Sequence, residues 1–154
     1  MTAEMRVLTV RNPWAGAIMH QGKLVENRSR NIAGDYRGPV AIHVAKRHDY
    51  SAVDALIERT GHIAPENIYG YGLIIGVVDL VDVHENTRCG IFAPLHDGES
   101  SVLQFCSPWA DGARYHMVLA NPRRLTVPIE WKGALGLRRL PAATVDLIME
   151  LQHG

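Results

Sequence analysis

Four residues whose side chains can bind or transform a ligand lie within fifteen positions near the start of the chain. Trp14, Lys23, Glu26 and Arg28 supply an aromatic ring, an ammonium, a carboxylate and a guanidinium. On a strand, Glu26 and Arg28 point to the same face, where a guanidinium keeps a carboxylate ionised and oriented. The alternative is an exposed ion pair, which contributes only about 0.5 kcal/mol. The spacing favours a charged pair beside an aromatic surface.

Lys23 has two interpretations that the sequence leaves open. It follows Gly22, which is placed to end a helix, so its ammonium is expected at the rim between that helix and a strand. There it can contact a phosphate or, if desolvated, act as a general base, although most lysines are simply solvated. Glu26 can accept a hydrogen bond from the amino edge of a base, as carboxylates do from cytosine N4.

Two tryptophans lie in similar Pro-Trp-Ala contexts, at Trp14 and Trp109. An indole at the mouth of a cleft can stack on a base, which is worth about 1–3 kcal/mol, or it can cover the core. Trp14 fits both roles equally, whereas Trp109 lies in a polar loop and is the better stacking candidate. Ser107 and the turn backbone can add hydrogen bonds there. Trp131 follows an interrupted strand and is expected to pack.

Short basic runs can widen a positive patch near Lys23. Arg37, Tyr36 and Arg11 are candidates, and residues 46–48 and 122–124 add further local charge. A solvated face remains the commoner explanation for runs this short.

No metal or cofactor is expected. Eight histidines are many, but neither Cys-x-x-Cys nor His-x-x-x-His spacing occurs among the candidates. Gly-x-Ser-x-Gly and P-loop segments are also missing, which argues against serine hydrolases and nucleotide triphosphatases. The candidate ligands compared were His43, His48, His84, His96, His116, Cys89 and Cys106.

The amino-acid composition narrows the expected ligands of the protein and its expected cellular compartment. Sixteen basic and sixteen acidic residues cancel, and the pI is near 7.1, so any nucleic-acid binding must come from a local patch. Two cysteines, no signal-peptide pattern and no apolar run of about 18 residues favour a cytoplasmic protein without a membrane span. A short single strand or a mononucleotide fits neutral charge better than a duplex, since few phosphates are contacted.

The pattern of apolar residues predicts one domain over residues 1–154, with strands over 5–10, 23–29, 38–45, 72–83, 114–120 and 124–133. Helices are expected from the Asn12–Pro13 cap to Gly22, over 51–61 and over 141–152. Gly76 should mark a bulge or a close backbone approach, and Pro128 an edge. Residues 84–113 look irregular. This order predicts an α+β fold with a mixed or antiparallel sheet that closes on itself.

The sequence resembles the ASCH family of PUA-like domains. Lys23, Glu26 and Arg28 match the family's Gly-x-Lys-x-x-Glu-x-Arg segment at its own spacing, and Gly22 stands one position closer to the lysine than in that pattern. The family's upstream Pro-Trp is matched at 13–14, and its Arg-Gly before the next strand at 37–38. The likeness extends from about Val7 to Leu140, before the C-terminal helix. It implies a small β-barrel with helices flanking its ends, a cleft lined by this segment, and a function involving RNA or nucleotides.

Two functions follow from the residues together with this resemblance. The first is a module that binds RNA, single-stranded nucleic acid or a nucleotide as a monomer or weak dimer. The second is a hydrolase, either a ribonuclease or, with less support, an amidohydrolase; that branch of the family carries Lys-x-x-Thr, and Glu26 replaces the nucleophile. The binding residues would be Trp14, Lys23, Glu26, Arg28, Arg37, Ser107 and Trp109, and the catalytic ones Lys23, Glu26, Tyr36, Ser107 and Tyr115.

Overall fold

A computed structural model describes residues 4–52, 54, 57–58 and 70–152 of the chain, without the side chains of residues 93 and 102. The strands are β1 (Arg6–Val10), β2 (Val25–Arg28), β3 (Gly38–Val44), β4 (Leu73–Glu85), β5 (Ile91–Pro94), β6 (Ser101–Gln104), β7 (Tyr115–Glu130) and β8 (Leu137–Arg139). The helices are α1 (Trp14–His20) and α2 (Ala142–Leu151), with 3₁₀ turns at Tyr50–Ala52 and Asn86–Arg88.

Six strands form one curved sheet in the order β2-β7-β4-β3-β1-β8, and β5 and β6 form a separate hairpin. Only β1 and β3 run parallel, with Val10 opposite Val44, while the other pairs are antiparallel. The sheet curls so far that Arg28, on the edge strand β2, donates a hydrogen bond to the carbonyl of Thr9 on β1. The expected α+β fold with a mixed, barrel-like sheet is therefore confirmed.

The strands bury side chains on both faces of the sheet. On β1, Leu8 and Val10 join the cluster that contains Ile18 of α1, and Val7 joins the cluster that contains Ile148 of α2. Alternation along a strand sends neighbouring residues to opposite faces, so each helix covers one face. The sheet is thereby fixed between two apolar layers.

The chain turns sharply on either side of α1. Pro13 occupies the N-cap position and α1 begins at Trp14, one residue later than the predicted cap at Asn12. The Asn12 side-chain oxygen still accepts a hydrogen bond from the backbone N–H of Gly16 in the first turn at 3.1 Å. Gly22 has φ +71°, a left-handed conformation that glycine adopts without strain. This turn ends the helical segment and delivers Lys23 to the start of β2.

The prediction for Gly76 is confirmed. The register between β4 and β7 shifts between Ile74 and Gly76, and a Cβ on Gly76 would lie 2.7 Å from the carbonyl oxygen of Arg123 and against the Met19 side chain. A larger residue therefore has no room between β7 and α1.

The segment from 84 to 133 differs from the prediction. Residues 91–94 and 101–104 pair as a hairpin within the stretch expected to be irregular, and the two strands expected over 114–133 form the single strand β7. Asn121 takes φ 50° within it, so the Asn-Pro step bends the strand without ending it. Pro128 lies in the part of β7 that has β4 as its neighbour and is past the pairing with β2, in agreement with the expected edge position.

The predictions for the remaining elements agree with the structure only in part. The C-terminal helix is present as α2, and the short strand β8 was not expected. The helix predicted over 51–61 falls largely on residues outside those the structure describes. Among the residues that the structure describes, no helix is long and apolar enough to cross a bilayer.

Candidate functional site

A cleft of about 920 Å³ opens where α1 and β2 meet the segments that follow β1, β3, β6 and β7. Its volume lies within the usual range for small-molecule sites, about 300–1,000 Å³. Five of the seven binding residues proposed from the sequence lie together in its wall: Trp14, Lys23, Glu26, Arg28 and Trp109.

Glu26 is held between two cations at the floor of the cleft. The Lys23 ammonium lies 3.1 Å from Glu26 Oε1 and donates a second hydrogen bond to the carbonyl of Val25 at 2.6 Å. The Arg28 guanidinium donates to Glu26 Oε2 through Nε at 3.2 Å and through a terminal nitrogen at 2.9 Å. The strand alternation predicted for Glu26 and Arg28 thus produces a three-residue ion cluster.

This cluster is deeply buried. Lys23 is 3% exposed and Glu26 is 6% exposed, whereas the sequence suggested an ammonium at the rim. Burial alone would raise the pKa of Glu26, but the charges and hydrogen bonds of Lys23 and Arg28 outweigh it and hold the pKa below its ordinary value. Glu26 is therefore a carboxylate at neutral pH, and it acts as a hydrogen-bond acceptor.

The two tryptophans form one aromatic corner of the cleft. The ring centroids of Trp14 and Trp109 are 6.5 Å apart with an interplanar angle of 86°, an edge-to-face arrangement. Both rings pack on Ala17 of α1, and the Lys23 ammonium lies 5.5 Å from the Trp14 ring centroid, within cation–π range. Each ring is thus partly packed and also lines the cleft. The packing role weighed for Trp14 is present, and its stacking role stays a prediction.

The Trp109 loop is fastened to β2 by Asn27. The Asn27 side-chain amide donates to the carbonyl of Trp109 at 3.0 Å, and its oxygen accepts the backbone N–H of Asp111 at 3.1 Å. Sequence reasoning did not single out Asn27, although a carboxamide between the two charged residues of the motif is a usable signal. Its side chain fixes the loop so that Trp109 meets Trp14.

A basic rim surrounds the cleft. Arg11, Lys46 and Arg47 line it together with Lys23 and Arg28. These five basic residues face three acidic ones, Glu26, Asp49 and Asp111, which leaves a local excess of two positive charges. Residues 133–136 complete the wall, and no motif had pointed to them.

Four of the residues proposed from the sequence lie outside this cleft. Arg37 is exposed and donates to the carbonyls of Gly34 and Tyr36. The Tyr36 hydroxyl donates to the carbonyl of Pro39 at 2.6 Å, and burial, with the charge of Glu4, raises its pKa, so it is not suited to act as a base. These contacts turn both side chains toward the protein's own backbone.

The side chains of Ser107 and Tyr115 contact other parts of the protein. The Ser107 hydroxyl accepts the backbone N–H of Trp109 at 3.1 Å, within the turn that carries the indole. Tyr115 is 3.3 Å from Glu85 through its hydroxyl and packs under Arg114. The set Lys23, Glu26, Tyr36, Ser107 and Tyr115 therefore does not converge, and Trp131 packs against the cluster beneath α2.

One group of four side chains able to bind a metal occurs among the described residues. His84, Cys89, Cys106 and His116 each offer a donor atom, and all four atoms lie within 4.8 Å of one another. Desolvation and the adjacent Cys89 thiol raise the pKa of Cys106 to about 11. A thiol of that pKa is protonated at neutral pH and is a weak nucleophile, so the pair does not suggest cysteine catalysis.

The sequence was also compared with models of known protein families, and no family model matches it. Function is therefore inferred from the chemistry of the cleft.

Proposed function

We propose that the protein is an ASCH-like member of the PUA-like domains and binds RNA, single-stranded nucleic acid or a nucleotide in this cleft. The observation that carries the proposal is the meeting of an aromatic corner, Trp14 and Trp109, with the buried carboxylate of Glu26 in one hollow. Aromatic rings suit the faces of a base, and a fixed carboxylate suits its amino edge.

Recognition of a base by Glu26 follows from its ionisation. A carboxylate accepts about four hydrogen bonds, and Lys23 and the two Arg28 nitrogens supply three. An N–H group of the ligand that reaches the carboxylate supplies the fourth hydrogen bond, while a base that presents a carbonyl oxygen there is repelled. We therefore expect bases with an exocyclic amino group to bind in preference to uracil.

The basic rim supplies the complementary part of the ligand site. Arg11, Lys46 and Arg47 surround the cleft, at positions where phosphates flanking a bound base would pass. The segments are tied together, since Ala45 N donates to the carbonyl of Val10 at 2.9 Å. With a net charge of zero for the chain, this local excess supports a ligand with few phosphates.

The geometry supports the hydrolase less well. Glu26 stays ionised at neutral pH and is not a proton donor, and the Lys23 ammonium is already shared between Glu26 and Val25. Because Tyr36, Ser107 and Tyr115 contact other parts of the protein, no second proton carrier lies beside Glu26 among the described candidates. A binding module is the function that these contacts favour.

Titration of the protein with the four ribonucleoside monophosphates and with short single-stranded RNA tests this proposal. We expect saturable quenching of tryptophan fluorescence, tighter binding of CMP than UMP, and weakening by about 1–3 kcal/mol in Trp109→Ala. Trp131→Phe, which alters an indole outside the cleft, serves as the matched control. Equal affinities in Trp109→Ala and the unaltered protein, or no saturable binding of any of these ligands, would overturn the proposal.

A further inference from the structure

His84 and His116 face each other across two neighbouring strands. They are register partners on β4 and β7, and their ring centroids are 5.4 Å apart at 86°. Cys89 precedes the β5–β6 hairpin and Cys106 follows it, so both cysteines return to the same point. Two imidazoles and two thiols thus converge from four separate places in the chain.

Each histidine is oriented by a bond to the nitrogen that faces away from the group. His84 Nδ1 lies 2.8 Å from Asp82 Oδ2, and His116 Nε2 lies 2.7 Å from the carbonyl oxygen of Asp111. Such carboxylate and carbonyl partners commonly fix the tautomer of metal-binding histidines. The nitrogens left to bind an ion are His84 Nε2 and His116 Nδ1.

These two nitrogens lack ordinary hydrogen-bonding surroundings. His84 Nε2 is buried and has no hydrogen-bond partner among the described residues, a state that costs free energy unless another group satisfies it. His116 Nδ1 faces only sulfur, with Cys89 Sγ at 3.2 Å and Cys106 Sγ at 3.7 Å. A cation placed among the four atoms would satisfy all of them.

The distances fit a tetrahedral ion. Bonds of about 2.0–2.3 Å from zinc to nitrogen and sulfur place the donor atoms about 3.3–3.8 Å apart. The two Cys–His116 distances are close to this range. The widest separation in the group, within 4.8 Å, requires a contraction of at most about 1.5 Å.

We propose that His84, Cys89, Cys106 and His116 form a structural zinc site. Two thiolates and two imidazoles are the donor set that zinc favours, and four protein ligands leave no open position for catalysis. Both thiols lose their protons to solvent when the ion binds, so the two thiolates balance its double charge. The expectation of no metal rested on spacing along the chain, which does not show that strands β4 and β7 place the histidines opposite each other.

The site would stabilise the loop that carries the aromatic corner. Cys106 lies three residues before Trp109, and His116 holds the Asp111 carbonyl. The ion would fasten this loop and the β5–β6 hairpin to β4 and β7. Metal binding is measured without any nucleic acid, so the result does not depend on the proposed ligand function.

Metal content and cobalt substitution test the site directly. The reduced full chain, stripped with a chelator, is titrated with Zn²⁺ alone and with Co²⁺ alone. We expect one equivalent of zinc, and for cobalt the intense visible bands and near-ultraviolet sulfur-to-cobalt charge transfer of a tetrahedral thiolate site. Weak octahedral cobalt spectra, zinc uptake well below one equivalent, or a Cys89–Cys106 disulfide that forms under reducing conditions would overturn the proposal.

Variants separate this site from adventitious binding. His116 is fully buried and its replacement can impair folding, so Cys106→Ser, at an exposed position, is the primary variant. We expect its zinc affinity to fall by at least about 100-fold, more than the roughly 10–100-fold that the loss of an outer partner such as Asp82 costs. The control is His96→Gln, an exposed histidine of the hairpin turn outside the group. Equal zinc affinity in Cys106→Ser and His96→Gln would refute the assignment.

Discussion

Arg28 donates a hydrogen bond to the backbone carbonyl of Thr9 at 3.2 Å, although three strands separate β2 from β1 in the sheet. The same guanidinium orients Glu26. A single side chain therefore joins two distant strands and positions the carboxylate of the candidate site. Lysine cannot replace it, because one ammonium lacks the planar fork that makes these bonds together.

Glu26→Gln should destabilise the protein at neutral pH. The change leaves the ammonium of buried Lys23 without its charged partner, which costs about 3–5 kcal/mol for buried pairs. Chemical denaturation at pH 7 measures this loss. Glu85→Gln, whose partner Arg114 is largely exposed, is the control and should cost no more than about 1 kcal/mol.

The stability difference between the unaltered protein and Glu26→Gln should depend on pH. The folded state lowers the pKa of Glu26 from its ordinary 4.5, so its stabilising contribution is fully present above that value and is lost as the pH falls through the lower folded pKa. The stability difference between the unaltered protein and Glu26→Gln should be constant at neutral pH and narrow below about pH 4.5. A difference that stays constant down to acid unfolding would contradict the ionised cluster.

Arg47→Ala should weaken ligand binding mainly through phosphate contacts. For single strands, each contact contributes about −0.7 to the slope of log affinity against log salt, so losing one should make the slope shallower by about 0.7. Titrations of a short RNA at several salt concentrations measure it. Arg37→Ala removes an equal charge outside the cleft. If both variants make the slope shallower by the same amount, the rim does not contact the phosphates.

Asn27→Ala should lower ligand affinity as well as stability. It removes both hydrogen bonds to the Trp109 loop, each worth about 0.5–1.5 kcal/mol, so the indole is no longer held against Trp14. Fluorescence titration and thermal unfolding, run together on Asn27→Ala and Asn31→Ala, measure both effects. Asn31 caps a turn away from the cleft, and unchanged affinity in Asn27→Ala would show that the loop keeps its position without this amide.

Gly76→Ala should destabilise the fold by about 1–3 kcal/mol, the usual cost of overpacking. A methyl group there meets the Arg123 carbonyl oxygen and the Met19 side chain. Gly112→Ala, where a Cβ has open space, is the matched control. The denaturant midpoints of the two variants measure this loss of stability. Equal midpoints would mean that the bulge relaxes around the new methyl group.

Local patterns were sufficient for several parts of the fold. The start of α1 just after Asn12, the stop at Gly22, the bulge at Gly76 and the C-terminal helix each depend on residues close in sequence. The convergence of Trp14, Lys23, Glu26 and Arg28 in one cleft was expected from the motif. These elements follow from backbone preferences that neighbouring residues already specify.

Features that depend on distant partners were not predictable. The burial of Lys23 and the fastening of the Trp109 loop by Asn27 require β2 to lie beside that loop. The pairing of His84 with His116 depends on the β4–β7 register. Residues 121–123 separated two predicted strands, whereas Asn121 takes a left-handed conformation inside one long strand that pairing with β4 holds together. Sequence spacing carries no information on such contacts.

The parallel pairing of β1 with β3 has a consequence for how this surface can change. Because Val10 lies opposite Val44, the chain leaves both strands at the same end of the sheet, and residues 11 and 45–47 emerge next to each other. The charges of Arg11, Lys46 and Arg47 at these exits can be changed while the hydrogen bonds between β1 and β3 stay in place. Charge substitution at these positions is therefore a direct route to redesigning what the protein attracts.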